Sequence, residues 1–482
     1  MAPKIIFINP PLTGQERYGN LAGAGVYMPP LGLGILASLL RGKGYKVRIL
    51  DCEALRLNLE EAVREVFSFS PDFAGITAST LAIYSAAALA AALKKRSLKL
   101  ITILGGPHLT ALSEETMDLF PQFDIGVIGE GELTLVELLQ VFREKNNLAG
   151  VEGIVYRENG KAIKTPPRPF IENLDTLPFP AWDLYPDLKK YYRPSAFGFR
   201  KLPCTSLITS RGCPGRCSFC NQGGWGRRYR EHSAGYVINM VRLLYHKYGI
   251  RDLAIYDGTF GVNQKRLIDL CEMLIKEKLN LFWSCNFRVE MAKPEVLRLM
   301  KKAGCWGIAY GIESCSQDVL NFLQKDITPE KTAEVLRWTK EAGIISKGYI
   351  MIGTPIETAR SFHKTLDSVL KLDLDLLTVN SFTPFPGTLD YQRADSYGKF
   401  NRDWKLLNEH NLVFTPKGLS AGEINYFIRL ITRKFYLRPR ILWRYIKMSF
   451  NPYFFKLLFN GLVSFARFTT RNISINKEVT LF

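Results

Sequence analysis

The stretch that decides the fold reads Ser206-Leu207-Ile208-Thr209-Ser210-Arg211-Gly212-Cys213-Pro214-Gly215-Arg216-Cys217-Ser218-Phe219-Cys220-Asn221. An apolar run ends in a glycine-rich loop carrying three thiols, Cys213, Cys217 and Cys220, at x3 and x2 spacing. Such spacing suits a metal cluster better than a disulfide. Three protein thiolates on an iron–sulfur cluster leave one iron open to an outside ligand. A structural zinc site asks for a fourth Cys or His at short spacing, and the near histidine is His232.

Working outward, the segment of about 201–400 repeats a β-then-α pattern. Strands are expected at Ser206–Arg211, Leu253–Asp257, Leu281–Arg288, Gly307–Ile312, Lys347–Ile352 and Leu376–Ser381, with helices such as Lys265–Glu277, Pro294–Ala303 and Thr328–Ala342 between them. Six parallel strands make a partial barrel, with chemistry at their carboxyl ends. Chemistry-bearing residues fall there in order: Asp257-Gly258-Thr259, then Ser284, Asn286 and Arg288, then Glu313, Gly353 and Pro386. Cys52, Cys204, Cys271, Cys285, Cys305 and Cys315 are read as small core or loop residues.

The cysteine string, with Phe219 just before the last thiol, resembles the signature of the radical S-adenosylmethionine (SAM) superfamily. That resemblance implies a 4Fe-4S cluster on the three cysteines, with SAM on the open iron and cleavage to a 5′-deoxyadenosyl radical. It further implies that Asp257, Gly258 and Thr259 meet the SAM amino group. Glu313 would accept the ribose hydroxyls, and the turns at Gly353 and Pro386 would read adenine.

Ahead of the barrel, residues 1–145 alternate apolar strands (Lys4–Asn9, Lys46–Asp51, Phe73–Thr77, Leu100–Leu104, Ile125–Ile128) with helices, the rhythm of a doubly wound parallel sheet. The residues at those strand ends are Pro10, Ser79, Thr80, Gly105, Gly106, His108, Gly129, Glu130 and Gly131, and the small ones let a bulky ligand approach the backbone. No Gly-x-Gly-x-x-Gly opens the first helix, which argues against a dinucleotide. Placed before a radical SAM triad, this segment looks like the cobalamin-binding domain of cobalamin-dependent radical SAM enzymes. The strand-end residues would then contact cobalamin. The Asp-x-His-x-x-Gly loop that gives a histidine to cobalt in many cobalamin proteins is absent, so no protein imidazole is expected on cobalt. His108 reads as a loop residue near the ligand's nucleotide tail or as a satisfied polar group.

Residues 146–200 read as an interdomain linker. It holds a strand pair (Gly153–Arg157 and Ala162–Thr165) and then a proline-rich run whose aromatic residues pack the domain interface. From about 401 to 482 the strand pattern is lost. Between Ile424 and Lys477 there is no Asp or Glu, while eleven Lys or Arg residues contribute to a net charge of +19. Arg440, Arg444 and Lys447 share one helical face among aromatic and aliphatic neighbours, so peripheral contact with an anionic membrane is expected. Nucleic acid is disfavoured because the tail shows no fold for it.

The 482-residue chain is 47% hydrophobic and 23% charged, which indicates folded domains and excludes a disordered chain. It opens directly into an apolar strand and holds no run long enough to span a bilayer; with a cluster and free thiols this predicts a cytoplasmic protein. The family resemblance implies a C-methyltransferase acting on a hydrophobic, lipid- or tetrapyrrole-like substrate, with electrons from a reductase, flavodoxin or ferredoxin. An oxidative cyclase of the magnesium-protoporphyrin monomethyl ester type is the alternative. From another class, a non-catalytic cobalamin or iron–sulfur sensor is disfavoured by the intact triad.

Overall fold

Strand β1 (Lys4–Asn9) buries Ile5, Phe7, Ile6 and Ile8 on opposite faces, as a central parallel strand must. It pairs with β2 (Lys46–Asp51) on one side and β3 (Phe73–Thr77) on the other, and β4 (Ile101–Gly105) and β5 (Ile125–Val127) continue the parallel sheet. The order β2-β1-β3-β4-β5 is doubly wound, with its topological switch between β1 and β3. The structure, a computed structural model, describes residues 2–19, 22, 25–144, 147–192, 198–221 and 224–449.

The strand pair expected in the linker belongs to this first sheet. β6 (Ile154–Glu158) and β7 (Lys161–Lys164) add to β5 antiparallel, giving seven strands. Asn159 and Gly160, both at positive φ, turn the hairpin. Val155 is wholly buried over Gly126, where a Cβ would lie 2.6 Å from its Cγ1. The proline-rich run that follows packs down: Trp182, Tyr185 and Tyr192 are buried, and the Tyr192 hydroxyl donates to Asp51 at 2.8 Å.

The second sheet is six parallel strands in the order β15-β14-β13-β12-β11-β8. They are β8 (Cys204–Leu207), β11 (Asp252–Phe260), β12 (Phe282–Phe287), β13 (Cys305–Glu313), β14 (Ile345–Ile352) and β15 (Leu376–Ser381). The expected strand Ser206–Arg211 is split. β8 stops at Leu207, and β9 (Ser210–Arg211) leaves the sheet to pair antiparallel with β10 (Arg230–Glu231). β11 runs past Asp257, so Asp257, Gly258 and Thr259 lie within an irregular strand end and not after it.

The segment after 400 is not wholly without strands: β16 (Gly398–Phe400) and β17 (Phe414–Pro416) form an antiparallel pair. Helix Ala421–Tyr436 then buries Ile424, Phe427, Ile428, Ile431 and Phe435, with the Tyr436 hydroxyl donating to the Leu377 carbonyl of β15 at 2.7 Å. This part of the tail covers the barrel. Arg440 of the basic face reaches Asp373 at 2.9 Å and Asp375 at 3.4 Å. The side chains of Arg444 and Lys447, and all residues beyond 449, lie outside the described residues. Among the described residues no helix is long and apolar enough to cross a membrane.

Candidate active site at the domain interface

The cysteine loop is shaped from below by Asp257. Its fully buried carboxylate accepts from Thr209 N at 2.6 Å, Thr209 Oγ1 at 2.7 Å and Ser210 Oγ at 2.7 Å. Asp257, expected at the SAM amino group, holds the backbone where β8 turns into the loop. Burial raises its pKa, and these hydrogen bonds oppose the rise. At Gly212 (φ +79°) a Cβ would sit 2.2 Å from the Arg228 carbonyl oxygen, so only glycine fits.

Further along, Ser218 donates to Asp390 at 3.0 Å and Asn221 to the Pro386 carbonyl at 2.9 Å. Pro386, expected near adenine, therefore also pins the end of the cysteine loop. Arg288 places Nη1 3.8 Å from Cys217 Sγ, and a Cβ on Gly215 would strike that same nitrogen at 2.2 Å. The loop thus wraps a guanidinium. Cys213 is buried, Cys217 half-buried and Cys220 exposed, and no disulfide joins any of the nine cysteines. Among the described residues no three His, Cys, Asp or Glu side chains are already closed around a metal ion. The donor set is nonetheless that of a cluster. The three thiols share one loop beside a cation, whereas His232 is stacked on Tyr236 at 3.9 Å and tied through Nδ1 to Asp175 at 3.1 Å.

Around the barrel mouth, Ser284 and Asn286 occupy the half-exposed face of β12. Glu313 ends β13 at φ +62° and meets buried Lys325 at 3.2 Å. Gly353 (φ +87°) follows β14, and its N–H and that of Thr354 donate to Glu357 at 2.7 and 2.8 Å. Burial pushes the Glu357 carboxyl up to about 7 despite those bonds. Glu357 escaped the sequence reading; an acid four residues after a strand-ending glycine was the available signal. Thr259 Oγ1 is buried without a hydrogen-bond partner, while the Thr354 hydroxyl faces the Glu357 carboxyl. Polar atoms left so at strand ends are where a ligand would be expected to complete the bonding.

A cavity of about 580 Å³ opens between the two sheets. Its floor is the first sheet's strand ends, including Thr77, Gly105, Gly106, Gly129, Glu130 and Gly131, and its opposite wall includes Ser210, Arg211, Asn221, Trp225 and His232. A Cβ at Gly129 (φ +73°) would meet nothing within 4 Å, and one at Gly105 only Val127 O at 4.0 Å. These glycines leave space that a bulky ligand can use. Pro10, Ser79 and Thr80 stand at the same sheet edge but outside this wall.

Two expectations for this end are corrected. His108 is not on a loop. It lies in the short helix Pro107–Ala111, wholly buried and outside the cavity wall, with Nδ1 3.2 Å from Thr80 Oγ1 and its ring 4.5 Å from that of Trp404. Its Nε2 has no partner, so it is not fully satisfied either, and burial lowers its pKa to about 4. Glu130 lines the cavity, but its carboxylate faces protein: it accepts from Arg211 at 2.9 Å, from Arg230 at 2.8 and 2.9 Å, and from Ile171 N at 2.7 Å. Glu132 takes the other arm of Arg211 at 2.5 Å.

Comparison with known proteins fits this geometry. Residues 207–369 match the radical SAM superfamily and residues 19–139 the B12-binding domain. An uncharacterized methyltransferase of Pyrococcus horikoshii is 35% identical over 91% of this chain and 94% of its own length. The chain belongs to the cobalamin-dependent radical SAM family. Within it, the anaerobic magnesium-protoporphyrin IX monomethyl ester cyclase of Rubrivivax gelatinosus is 28% identical over 91% of this chain and 78% of its own. The radical SAM methyltransferase TsrM of Kitasatospora setae, solved with cobalamin and a 4Fe-4S cluster, shares the fold at a TM-score of 0.68, covering 88% of this chain and 84% of that one at 19% identity.

This radical SAM enzyme accordingly uses a 4Fe-4S cluster, SAM and cobalamin. Cys213, Cys217 and Cys220 would hold the cluster, and the glycines of the cavity floor leave room where cobalamin would lie. The unpartnered hydroxyl of Thr259 lies at the end of β11.

Proposed function

We propose that the enzyme methylates an unactivated carbon of a hydrophobic, lipid- or tetrapyrrole-like substrate, which lies between the barrel mouth and the cobalamin cavity. The observation that carries this reading is the shared cavity: strand ends of the first sheet form one wall, and the segment bearing the cysteines forms the other. Bound together, the cofactors supply a carbon radical and a methyl group, and the protein's part is placement and exclusion of water. Arg288 keeps positive charge beside Cys217, and Asp257 and Asp390 fix the loop's two ends. Leu33, Leu36, Val127, Leu135 and Ile208 make much of the cavity wall apolar. Among the barrel strands, Tyr256 of β11 is 43% exposed, and Asn380 of β15 donates to Glu409 at 3.0 Å. Those groups suit a polar end on an otherwise apolar substrate. An external one-electron donor of the flavodoxin or ferredoxin kind completes the proposal.

Oxidative ring closure without methyl transfer is the second reading, favoured by the cyclase relative that aligns with nearly the whole chain. Anaerobic expression with cobalamin and methyl-labelled methionine separates the two. Lipid and pigment extracts are compared with those from a strain carrying the triple cysteine-to-alanine variant. A new species heavier by one labelled methylene supports methylation. An oxidised product that carries no labelled carbon beyond those of its precursor would overturn it in favour of ring closure.

A further inference from the structure

The base of the cysteine loop carries an electrostatic conflict that the other domain resolves. Arg211, two residues before Cys213, and Arg230, beyond Cys220, are directly opposite each other in the antiparallel β9–β10 pair. Like charges facing across strands oppose pairing, and both side chains are buried. Within the barrel these two strands would repel. Their compensation comes from the cobalamin-binding domain: Glu130 accepts from both arginines, and Glu132 accepts from Arg211. Arg230 also donates to the Trp225 carbonyl at 3.0 Å and the Ile171 carbonyl at 2.8 Å, tying the far end of the loop and the linker into one knot. The carboxylates flank Gly131 and follow Gly129, both part of the cobalamin cavity wall. One short segment therefore forms the floor under cobalamin and supplies the counter-charges that close the cysteine loop.

We propose that Glu130 and Glu132 are positioning residues that couple the two cofactor sites, so that seating cobalamin stabilises the cysteine loop for its cluster and a built cluster strengthens cobalamin binding. This holds whichever reaction the enzyme performs. A buried ion cluster is a costly way to gain stability alone, since apolar residues of similar volume often do as well or better. Its use here is to specify one arrangement of two loops from different domains. Coupling between binding sites is reciprocal and commonly amounts to about 5–150-fold.

The test uses the full-length protein under anaerobic conditions, with and without a reconstituted cluster. Hydroxocobalamin is titrated in by following tryptophan fluorescence, to which Trp225 in the cavity wall contributes. Cluster loss to a chelator is followed by absorbance with and without hydroxocobalamin. The wild type should bind hydroxocobalamin about tenfold tighter when the cluster is present, and should lose iron more slowly with cobalamin bound. Glu132→Gln should bring the affinity ratio towards one. The double variant Glu132→Leu/Arg211→Met, which leaves no unpaired charge from that pair, should do the same while remaining folded by circular dichroism. A wild-type ratio of one overturns the proposal without recourse to any variant. So does a full tenfold ratio retained in the folded double variant.

Discussion

Removing Glu313 should expose two separable effects, because the structure gives this carboxylate a protein partner as well as its expected place at the SAM ribose. Its Oε1 lies 3.2 Å from Lys325 Nζ, with both side chains buried. Burial pulls the Lys325 pKa down, and Glu313 carries it back above the ordinary lysine value. Glu313→Ala leaves that ammonium buried without its counter-charge, a change that costs about 3–5 kcal/mol. With a urea dependence of about 3 kcal/mol per molar, the midpoint for barrel unfolding should fall by about 1–1.7 M. Glu313→Ala/Lys325→Met removes the stranded charge and should recover most of the loss. SAM binding should not recover. Hydrogen bonds to a charged acceptor contribute about 1.5–3 kcal/mol, so both variants should bind SAM about tenfold to a hundredfold more weakly. Urea unfolding followed by circular dichroism and calorimetric titration of SAM into cluster-loaded protein read the two effects independently. If the double variant unfolds as early as the single one, the stranded-cation argument fails. If it binds SAM like the wild type, Glu313 has no role at the ribose.

Three further outcomes are expected. Glu357, raised from 4.5 to about 7, binds its proton more tightly folded than unfolded; its contribution is therefore full below pH 4.5 and is lost as pH rises through 7. Comparing urea stability at pH 5 and pH 8, Glu357→Gln should flatten the profile by up to about 3 kcal/mol relative to wild type, and an identical pH dependence would contradict the assignment. Replacing Cys213, Cys217 and Cys220 together with Ala should abolish iron–sulfur absorbance and 5′-deoxyadenosine formation; a variant keeping four irons and SAM cleavage would refute the cluster site. Truncation after Gly418 should give an aggregating barrel, because Ile424, Phe427, Ile428, Ile431 and Phe435 each contribute about 1.5–3 kcal/mol when buried. Truncation after Ser449 should spare the fold but reduce pelleting with anionic liposomes at low salt, and full-length protein that never pellets would dispose of the membrane contact.

What the sequence made legible was local. The cysteine spacing, the strands later seen as β12 and β14, and the glycines ending strands all follow from a few neighbouring residues, and the structure has those strands and glycines where they were expected. Partners distant along the chain were not legible. The strand pair Gly153–Arg157 and Ala162–Thr165 was expected, but nothing local said that Ile154–Tyr156 would cover the edge of the first sheet. The acid-free tail looked like a free basic surface, yet the carboxylates that receive Arg440, Asp373 and Asp375, lie more than sixty residues earlier. His108 looked like a ligand neighbour because it follows Gly105-Gly106-Pro107, and its contact with Trp404, from the far end of the chain, was not visible locally.

Three carboxylates show why strand-end acids were the hardest residues to place. Glu130, Asp257 and Glu313 all stand where a bound cofactor is expected, and all three already accept hydrogen bonds from protein groups. A buried carboxylate without partners would pay a large desolvation cost whenever its ligand left, so a site that must load and release cofactors is safer with its acids engaged. Asp257 engages Thr209 and Ser210, and Glu130 engages the Arg211 and Arg230 side chains, so both acids hold the base of the cysteine loop, which the cluster needs held still. The groups there that carry no fixed charge are the Thr259 hydroxyl, left open, and the Glu357 carboxyl beside Thr354, whose raised pKa allows it to carry a proton near neutral pH. Neutral groups cost less to leave waiting than charges do. The charged residues therefore set the shape of the site, and the small polar and glycine positions remain to meet what binds there.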